Sequence, residues 1–122
     1  MADLTKLYLT ILIFSLISKG YCAWYLNNIT IGTVRSGKQV LGKPEWNVKV
    51  TNNCPCPLSQ IKLTCEGFQS TEHVNSTILV EQGDTCLLIN GKPLKASSSV
   101  KFSYAWDPPF VLWPASAIFH SC

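Results

Sequence analysis

Residues 44–56 read Pro-Glu-Trp-Asn-Val-Lys-Val-Thr-Asn-Asn-Cys-Pro-Cys, and this stretch decides the fold class. In it, Trp46, Val48 and Val50 alternate with polar residues, which is the pattern of a strand that buries one face. The same alternation recurs at residues 61–65 and at residues 100–106. These runs of period two predict a β protein.

Shorter runs rich in β-branched residues extend the pattern to residues 27–34, 77–81 and 112–120, so that we expect about six strands. Glycine, proline and asparagine separate the runs, and no helical period occurs after residue 20. Asn90-Gly91 is expected to form a two-residue hairpin turn, because both residues tolerate positive φ. The sequence thus predicts an all-β fold, a single antiparallel β-sandwich.

Residues 1–20 have the features of a signal peptide. Lys6 precedes an apolar run at residues 7–17, and the small residues Ser18 and Gly20 stand before the expected cut. The run is too short to span a bilayer, which needs about 20 apolar residues. We therefore expect cleavage after residue 20, a mature domain at residues 21–122, export from the cell and no membrane insertion.

The mature domain carries little net charge. Removal of the signal peptide takes away two lysines and one aspartate, which lowers the formal charge from +3 to +2. A charge this weak and scattered does not form the basic surface that nucleic acid or an anionic membrane requires. We therefore expect neither nucleic acid nor an anionic membrane as a partner.

Six cysteines remain in the mature domain: Cys22, Cys54, Cys56, Cys65, Cys86 and Cys122. An even number of cysteines in a short exported chain indicates disulfide bonds, here three, each adding about 2–4 kcal/mol to the stability of the core. Cys54 and Cys56 lack the two-residue spacing of zinc and redox sites, and on an extended strand both sulfurs point the same way. Each is expected to bond to a different distant cysteine, and the fifteen possible pairings of six cysteines remain open.

No residue pattern in the chain indicates catalysis. His73 and His120 lie outside the spacings of metal ligands and of nucleophile–base pairs. The acidic residues of the mature domain form no diagnostic carboxylate pair, and oxidised thiols are not nucleophiles. We expect no catalytic residue, no metal and no other cofactor, and the protein is predicted not to be an enzyme.

Two sequons occur in the mature domain, Asn28-Ile29-Thr30 and Asn75-Ser76-Thr77. Both asparagines are candidate acceptors of N-linked glycans in an exported chain. Asn28 lies on a predicted strand, whereas Asn75 lies beside a turn, which makes Asn75 the better acceptor.

The aromatic residues divide into two groups. Trp46 and Trp106 continue apolar stripes and are expected to point inward. Trp24, Phe110 and Trp113 lie outside clear alternation, so they are candidate exposed contacts. Because a flat exposed ring can stack on a sugar, a carbohydrate-binding module of the cell wall is one alternative function.

The run at residues 44–56, followed by Cys65 and by Gly-Phe-Gln-Ser at residues 67–70, resembles the plant Tapetum Determinant-like family. The later pattern is similar too, with Asp-Thr-Cys-Leu-Leu-Ile-Asn-Gly-Lys-Pro-Leu at residues 84–94 and a last cysteine at Cys122. The resemblance implies a small secreted cysteine-rich protein of the apoplast. It also implies a signalling ligand that binds the ectodomain of a leucine-rich-repeat receptor kinase and directs cell fate, as in anther development.

Overall fold

The computed structural model describes Cys22 and residues 25–120. The predicted signal peptide at residues 1–20, Trp24 and Cys122 lie outside these described residues. Within the described residues, two single-turn 3₁₀ helices occur, at Tyr25–Asn28 and at Ile89–Gly91. The strands of the described part are β1 (Ile29–Val40), β2 (Lys43–Asn52), β3 (Leu58–Thr64), β4 (Leu79–Gln82), β5 (Thr85–Leu88), β6 (Ser99–Ala105) and β7 (Pro114–Phe119).

β2 is the central strand of the first sheet, whose order is β1-β2-β6. Both pairs are antiparallel, and the register places Val48 of β2 opposite Phe102 of β6. Because side chains alternate between the two faces of a strand, Val48, Val50 and Phe102 share the buried face. Asn47 and Lys49 consequently lie on the exposed face.

β3 is an inner strand of the second sheet, whose order is β4-β5-β3-β7. Its residues Leu58, Ile61 and Leu63 are completely buried. They belong to one cluster that also contains Val48 and Val50 of the first sheet. The two sheets therefore share a hydrophobic core, in which each buried aliphatic side chain contributes about 1.5–3 kcal/mol.

The prediction of an all-β protein with antiparallel sheets is confirmed. A strand occurs within or around each of the six predicted runs, and β5 is an additional strand. β5 is short, and part of it coincides with one arm of the hairpin expected at Asn90-Gly91.

The prediction of a hairpin at Asn90-Gly91 is wrong. Both residues have positive φ, 56° and 77°, as expected, but they belong to the second 3₁₀ helix, and no return strand follows. Instead, Leu94 forms an isolated bridge with Leu58 of β3. Gly91 is buried, and Gln60 Nε2 donates to its carbonyl at 3.3 Å. These contacts hold the chain against β3 rather than along β5.

Two disulfide bonds lie wholly within the described residues. Cys22–Cys54 ties the start of the domain to the end of β2, and Cys65–Cys86 joins the end of β3 to β5, with Cα–Cα distances of 5.6 and 5.9 Å. Cys56 is disulfide-bonded as well, and no described cysteine is free. Cys54 and Cys56 therefore bond to different partners, as expected. They lie in a bend between β2 and β3, however, and not on an extended strand.

Candidate interaction surface

Two large apolar side chains project from residues 107–114, the segment that leads into β7. Val111 and Trp113 are 70% and 64% exposed. Between and before them, Leu112 is buried and Phe110 is half-buried, so the segment alternates between inward and outward side chains. This alternation is why an indole faces solvent beside a well-packed core.

The backbone of this segment is held at two points. The Trp113 N–H donates to Thr64 Oγ1 at 3.0 Å, and the Trp113 carbonyl accepts from the Thr64 N–H at 2.8 Å. Nearer the middle of the segment, the Phe110 N–H donates to the Tyr104 hydroxyl at 2.9 Å. Tyr104 is completely buried, and this burial raises the pKa of its phenol. The exposed side chains are thus carried by a backbone that is already ordered.

The expectation that Phe110 is an exposed contact needs correction. Its ring packs against Phe68 and Tyr104, with centroids 5.2 and 5.9 Å away, at the edge of the core. The reason is the alternation of the segment, which turns Phe110 inward. Trp24 lies outside the described residues. Among the described residues, Trp113 is the one exposed aromatic side chain.

A groove of about 320 Å³ separates the segment from β1. Ile31 and Thr33 of β1 form one wall, and Val111 and Trp113 form part of the other. We call Val111, Trp113 and these two β1 residues the Val111–Trp113 surface. It is mostly apolar and carries no charged side chain, which suits contact with a protein or with the face of a sugar.

Trp46 and Trp106 lie elsewhere, at one end of the first sheet, and are partly buried against the core. The Trp46 Nε1–H donates to the Trp106 carbonyl at 2.9 Å. The Arg35 guanidinium lies 5.9 Å from the Trp46 ring centroid, and the Lys43 ammonium lies 5.1 Å from that of Trp106. Each indole ring thus forms a cation–π contact with a basic side chain of the same chain.

Glu45 and Glu72 form a carboxyl pair that no sequence motif indicates. A hydrogen bond with Glu45 raises the pKa of Glu72 to about 7, and burial and the charge of Glu45 act in the same direction. The same contact, with a second hydrogen bond from Ser36, lowers the pKa of Glu45. These opposite shifts favour a proton on Glu72 beside an ionised Glu45. A hydrogen bond between the two carboxyls brings them closer together than the separation of about 5 Å or more that glycosidases use.

The histidines have ordinary surroundings. His73 is exposed, and His120 Nε2 forms a hydrogen bond with Ser59 Oγ. Within residues 25–120 and Cys22, no group of three or more histidine, cysteine or acidic side chains is placed to hold a metal ion. The same residues include no helix with the length and apolar character needed to cross a membrane.

The two sequons differ in accessibility. Asn75 is exposed, and its Oδ1 accepts hydrogen bonds from the Thr77 N–H at 2.9 Å and from the Thr77 hydroxyl at 2.8 Å. Asn28 is half-buried, and the hydroxyl of its sequon partner Thr30 accepts from Asn53 Nδ2 at 3.0 Å. The Asn75 sequon is therefore the more accessible of the two.

Comparison with known proteins places this fold in a family. The family model described as Tapetum determinant 1, C-terminal, matches residues 25–120. An uncharacterized protein of Arabidopsis thaliana is 30% identical over 59% of this chain and 59% of its own length. TPD1 protein homolog 1 of Arabidopsis thaliana is 33% identical over 52% of this chain, and TPD1 protein homolog 1A of Oryza sativa subsp. japonica is 32% identical over 58%.

The aligned region spans only 37% and 35% of the two TPD1 homologs' own lengths. The match therefore concerns a part of those proteins. No solved structure matches the chain.

Proposed function

Because this chain belongs to the Tapetum determinant 1 family, we propose that it is a secreted signalling ligand of the tapetum-determinant type. In this proposal it binds the ectodomain of a leucine-rich-repeat receptor kinase in the apoplast and directs cell fate, as in anther development. It acts by binding and carries out no chemical step. The two disulfide bonds that lie wholly within the described residues support export to an oxidising compartment.

The observation that carries this proposal is the Val111–Trp113 surface. Tryptophan is enriched among the residues that dominate binding energy at protein interfaces. Hydrogen bonds to Thr64 and Tyr104 already order the backbone that presents the indole. A pre-ordered surface loses little conformational entropy on docking, so a small contact area can still give useful affinity.

We propose that the two sheets face each other as a β-sandwich, because both contribute to one hydrophobic cluster. We also propose a third disulfide between Cys56 and Cys122. Cys56 is disulfide-bonded, and four of the other five cysteines pair among themselves. Peptide mapping of the unreduced monomer tests the pairing, and a Cys56 peptide linked to any other cysteine contradicts it.

We propose that a glycan is attached at Asn75 and that Asn28 is a poorer acceptor. The exposure of Asn75 supports this order, whereas part of Asn28 is buried. Glycan occupancy, measured on protein secreted from plant cells, tests it. Higher occupancy at Asn28 than at Asn75 would contradict the order.

The receptor proposal is tested with the oxidised protein and a panel of leucine-rich-repeat ectodomains, by biolayer interferometry. We expect saturable binding to at least one ectodomain, weakened about 30-fold by Trp113→Ala. Ile118→Ala is the matched control, because Ile118 is an exposed apolar residue on β7, outside the Val111–Trp113 surface. Absence of binding to every ectodomain, or equal losses in the two variants, contradicts the proposal.

The second candidate is a module that binds cell-wall polysaccharide, which the exposed indole of Trp113 favours. A neutral sugar would stack on this ring alone, since no other aromatic side chain of the described residues is exposed. A glycan array distinguishes the candidates. Binding to a neutral wall glycan that is lost in Trp113→Ala would favour this second function.

A further inference from the structure

The exposed face of the first sheet carries a groove of about 510 Å³. It is separate from the Val111–Trp113 surface, because the two use opposite sides of β1. Ile31 and Thr33 line the Val111–Trp113 groove, whereas Gly32 and Val34 line this one. The other residues that line the exposed face of the groove are Asn47, Lys49, Lys101 and Ser103.

Two lysines stand directly opposite each other in this groove. The register of β2 and β6 pairs Lys49 with Lys101, and like charges in such a cross-strand pair repel. Among the described residues neither lysine has an acidic partner. Glu45, on the same face of β2, is four residues from Lys49, about 13 Å along the strand, and is hydrogen-bonded to Glu72. An arrangement of this kind is relieved by an anion that binds between the two ammonium groups.

Gly32 forms the floor beside the lysine pair, opposite Lys49 in the register. Its φ is not positive, and a Cβ built on it would meet no atom within 4 Å. Neither backbone conformation nor packing within the chain therefore requires glycine here, and glycine weakens a strand. A remaining reason for glycine at this position is that it lets a ligand approach the backbone closely.

The polar groups of the groove are matched to a ligand rich in acceptors. Ser103 Oγ donates to Asn47 Oδ1 at 2.7 Å, which leaves the Asn47 amide hydrogens available to a ligand's acceptors. Together with the two ammonium groups, the groove presents donors and one exposed apolar side chain, Val34. A sugar ring that carries a carboxylate and hydroxyls supplies the complementary acceptors and an apolar C–H face.

An extended peptide fits this face less well. β2 is hydrogen-bonded on both sides, to β1 and to β6, so its backbone has no free edge with which a peptide strand could pair. A neutral glycan usually stacks on an exposed aromatic ring, and no aromatic side chain is exposed in the groove. We propose that the groove over Gly32 binds an acidic polysaccharide, with the carboxylate of a uronic acid residue held between Lys49 and Lys101.

The test is titration calorimetry of the oxidised protein at low salt with a defined oligogalacturonate. We expect binding that Lys49→Gln or Lys101→Gln weakens about fivefold and that the double variant weakens about twentyfold. The matched control is the double variant Lys92→Gln/Lys95→Gln, which removes the same charge from exposed lysines outside the groove. Equal weakening in the two double variants would mean a net-charge effect and would overturn the site.

Gly32→Val tests the groove itself. Valine favours strands more than glycine does, so we expect an unchanged or raised melting temperature together with a loss of binding of tenfold or more. Binding that survives this substitution, or no binding by the unaltered protein, overturns the proposal.

Two further measurements separate this proposal from others. Poly-glutamate of the same charge should bind at least tenfold more weakly than oligogalacturonate, and equal binding would overturn the polysaccharide in favour of an acidic protein segment. Trp113→Ala should leave oligogalacturonate binding unchanged. The result for the polysaccharide site is therefore independent of the result for the receptor proposal.

Discussion

At the scale of single residues, Asn52 is one of two buried polar side chains in the described part of the chain. It is completely buried at the end of β2. Its Nδ2 donates to the carbonyls of Cys56 and Leu94, both at 3.0 Å, and its Oδ1 accepts from the Cys54 N–H at 2.9 Å. One amide thus satisfies the backbone of the cysteine-containing bend and fixes residues 94–98 beside it.

Asn52→Ala is expected to destabilise the protein by about 2–4 kcal/mol, because it removes the buried side-chain hydrogen bonds to Cys54, Cys56 and Leu94. The neighbouring variant Asn53→Ala is the control. Asn53 is exposed and its side chain forms one hydrogen bond, to Thr30, so we expect a loss of at most about 1 kcal/mol. Urea unfolding of both oxidised variants gives the comparison, and equal losses would contradict this role for Asn52.

Sequence pattern identifies Asn52 as the polar end of a strand but not its burial. Its partner Leu94 is 42 residues away and reaches it only because the expected hairpin at Asn90-Gly91 does not form. Trp113 is different, since its position outside any alternating run was enough to make it a candidate exposed contact. Phe110 also lies outside any alternating run, but the prediction that it is exposed is wrong, because its orientation depends on the contact with Tyr104.

At the scale of elements, the hydrogen bond from Phe110 to Tyr104 ties the 107–114 segment to β6. Tyr104→Phe keeps the buried ring and removes only the acceptor. We expect a loss of about 1–2 kcal/mol in stability and a measurable loss of affinity for the Trp113-dependent partner, because the segment becomes less ordered.

Tyr25→Phe is the control for that prediction. Tyr25 is half-buried against Phe119, with ring centroids 6.3 Å apart, and no hydrogen bond of its hydroxyl is present among the described residues. We expect its stability and partner affinity to stay close to those of the unaltered protein. Stability is read from urea unfolding and affinity from interferometry. Unchanged affinity in Tyr104→Phe would show that the segment keeps its order without this bond.

The alternation of apolar and polar residues predicts most of the strands, because each of them buries one face and exposes the other. β2 and β6 illustrate this, with buried Val48 and Phe102 opposite each other in register. The short β5 is missed, because its four residues are followed at Asn90-Gly91 by a hairpin signal, although Gly91 is buried in the fold. Strand pairing between distant segments is set by the core and not by local sequence.

At the scale of the whole molecule, β1 separates two surfaces of different chemistry. One side contributes to the apolar Val111–Trp113 surface and the other to the groove between Lys49 and Lys101. In the two proposals taken together, one molecule contacts a receptor and an acidic wall polymer at once. The composition of the chain does not indicate this division, because its net charge is small and its lysines are scattered along the sequence.

The Glu45–Glu72 pair joins the first sheet to the connection between β3 and β4, and it makes stability depend on pH. The pKa of Glu72 is raised from 4.5 to about 7, so the folded protein holds this proton more tightly than the unfolded chain does. Stability from this group should therefore decline as pH rises from about 4.5 to 7. Lys38 opposes the effect, and the lowered pKa of Glu45 acts only in the more acidic range.

Glu72→Gln removes the titrating group and keeps a hydrogen-bonding side chain beside Glu45. We expect its melting temperature to match that of the unaltered protein near pH 4.5 and to exceed it above pH 7, where the unaltered pair holds two adjacent negative charges. Thermal unfolding across this range checks the prediction, with Glu81→Gln as the control because Glu81 is exposed on β4. Curves for Glu72→Gln that run parallel to those of the unaltered protein would contradict the raised pKa of Glu72.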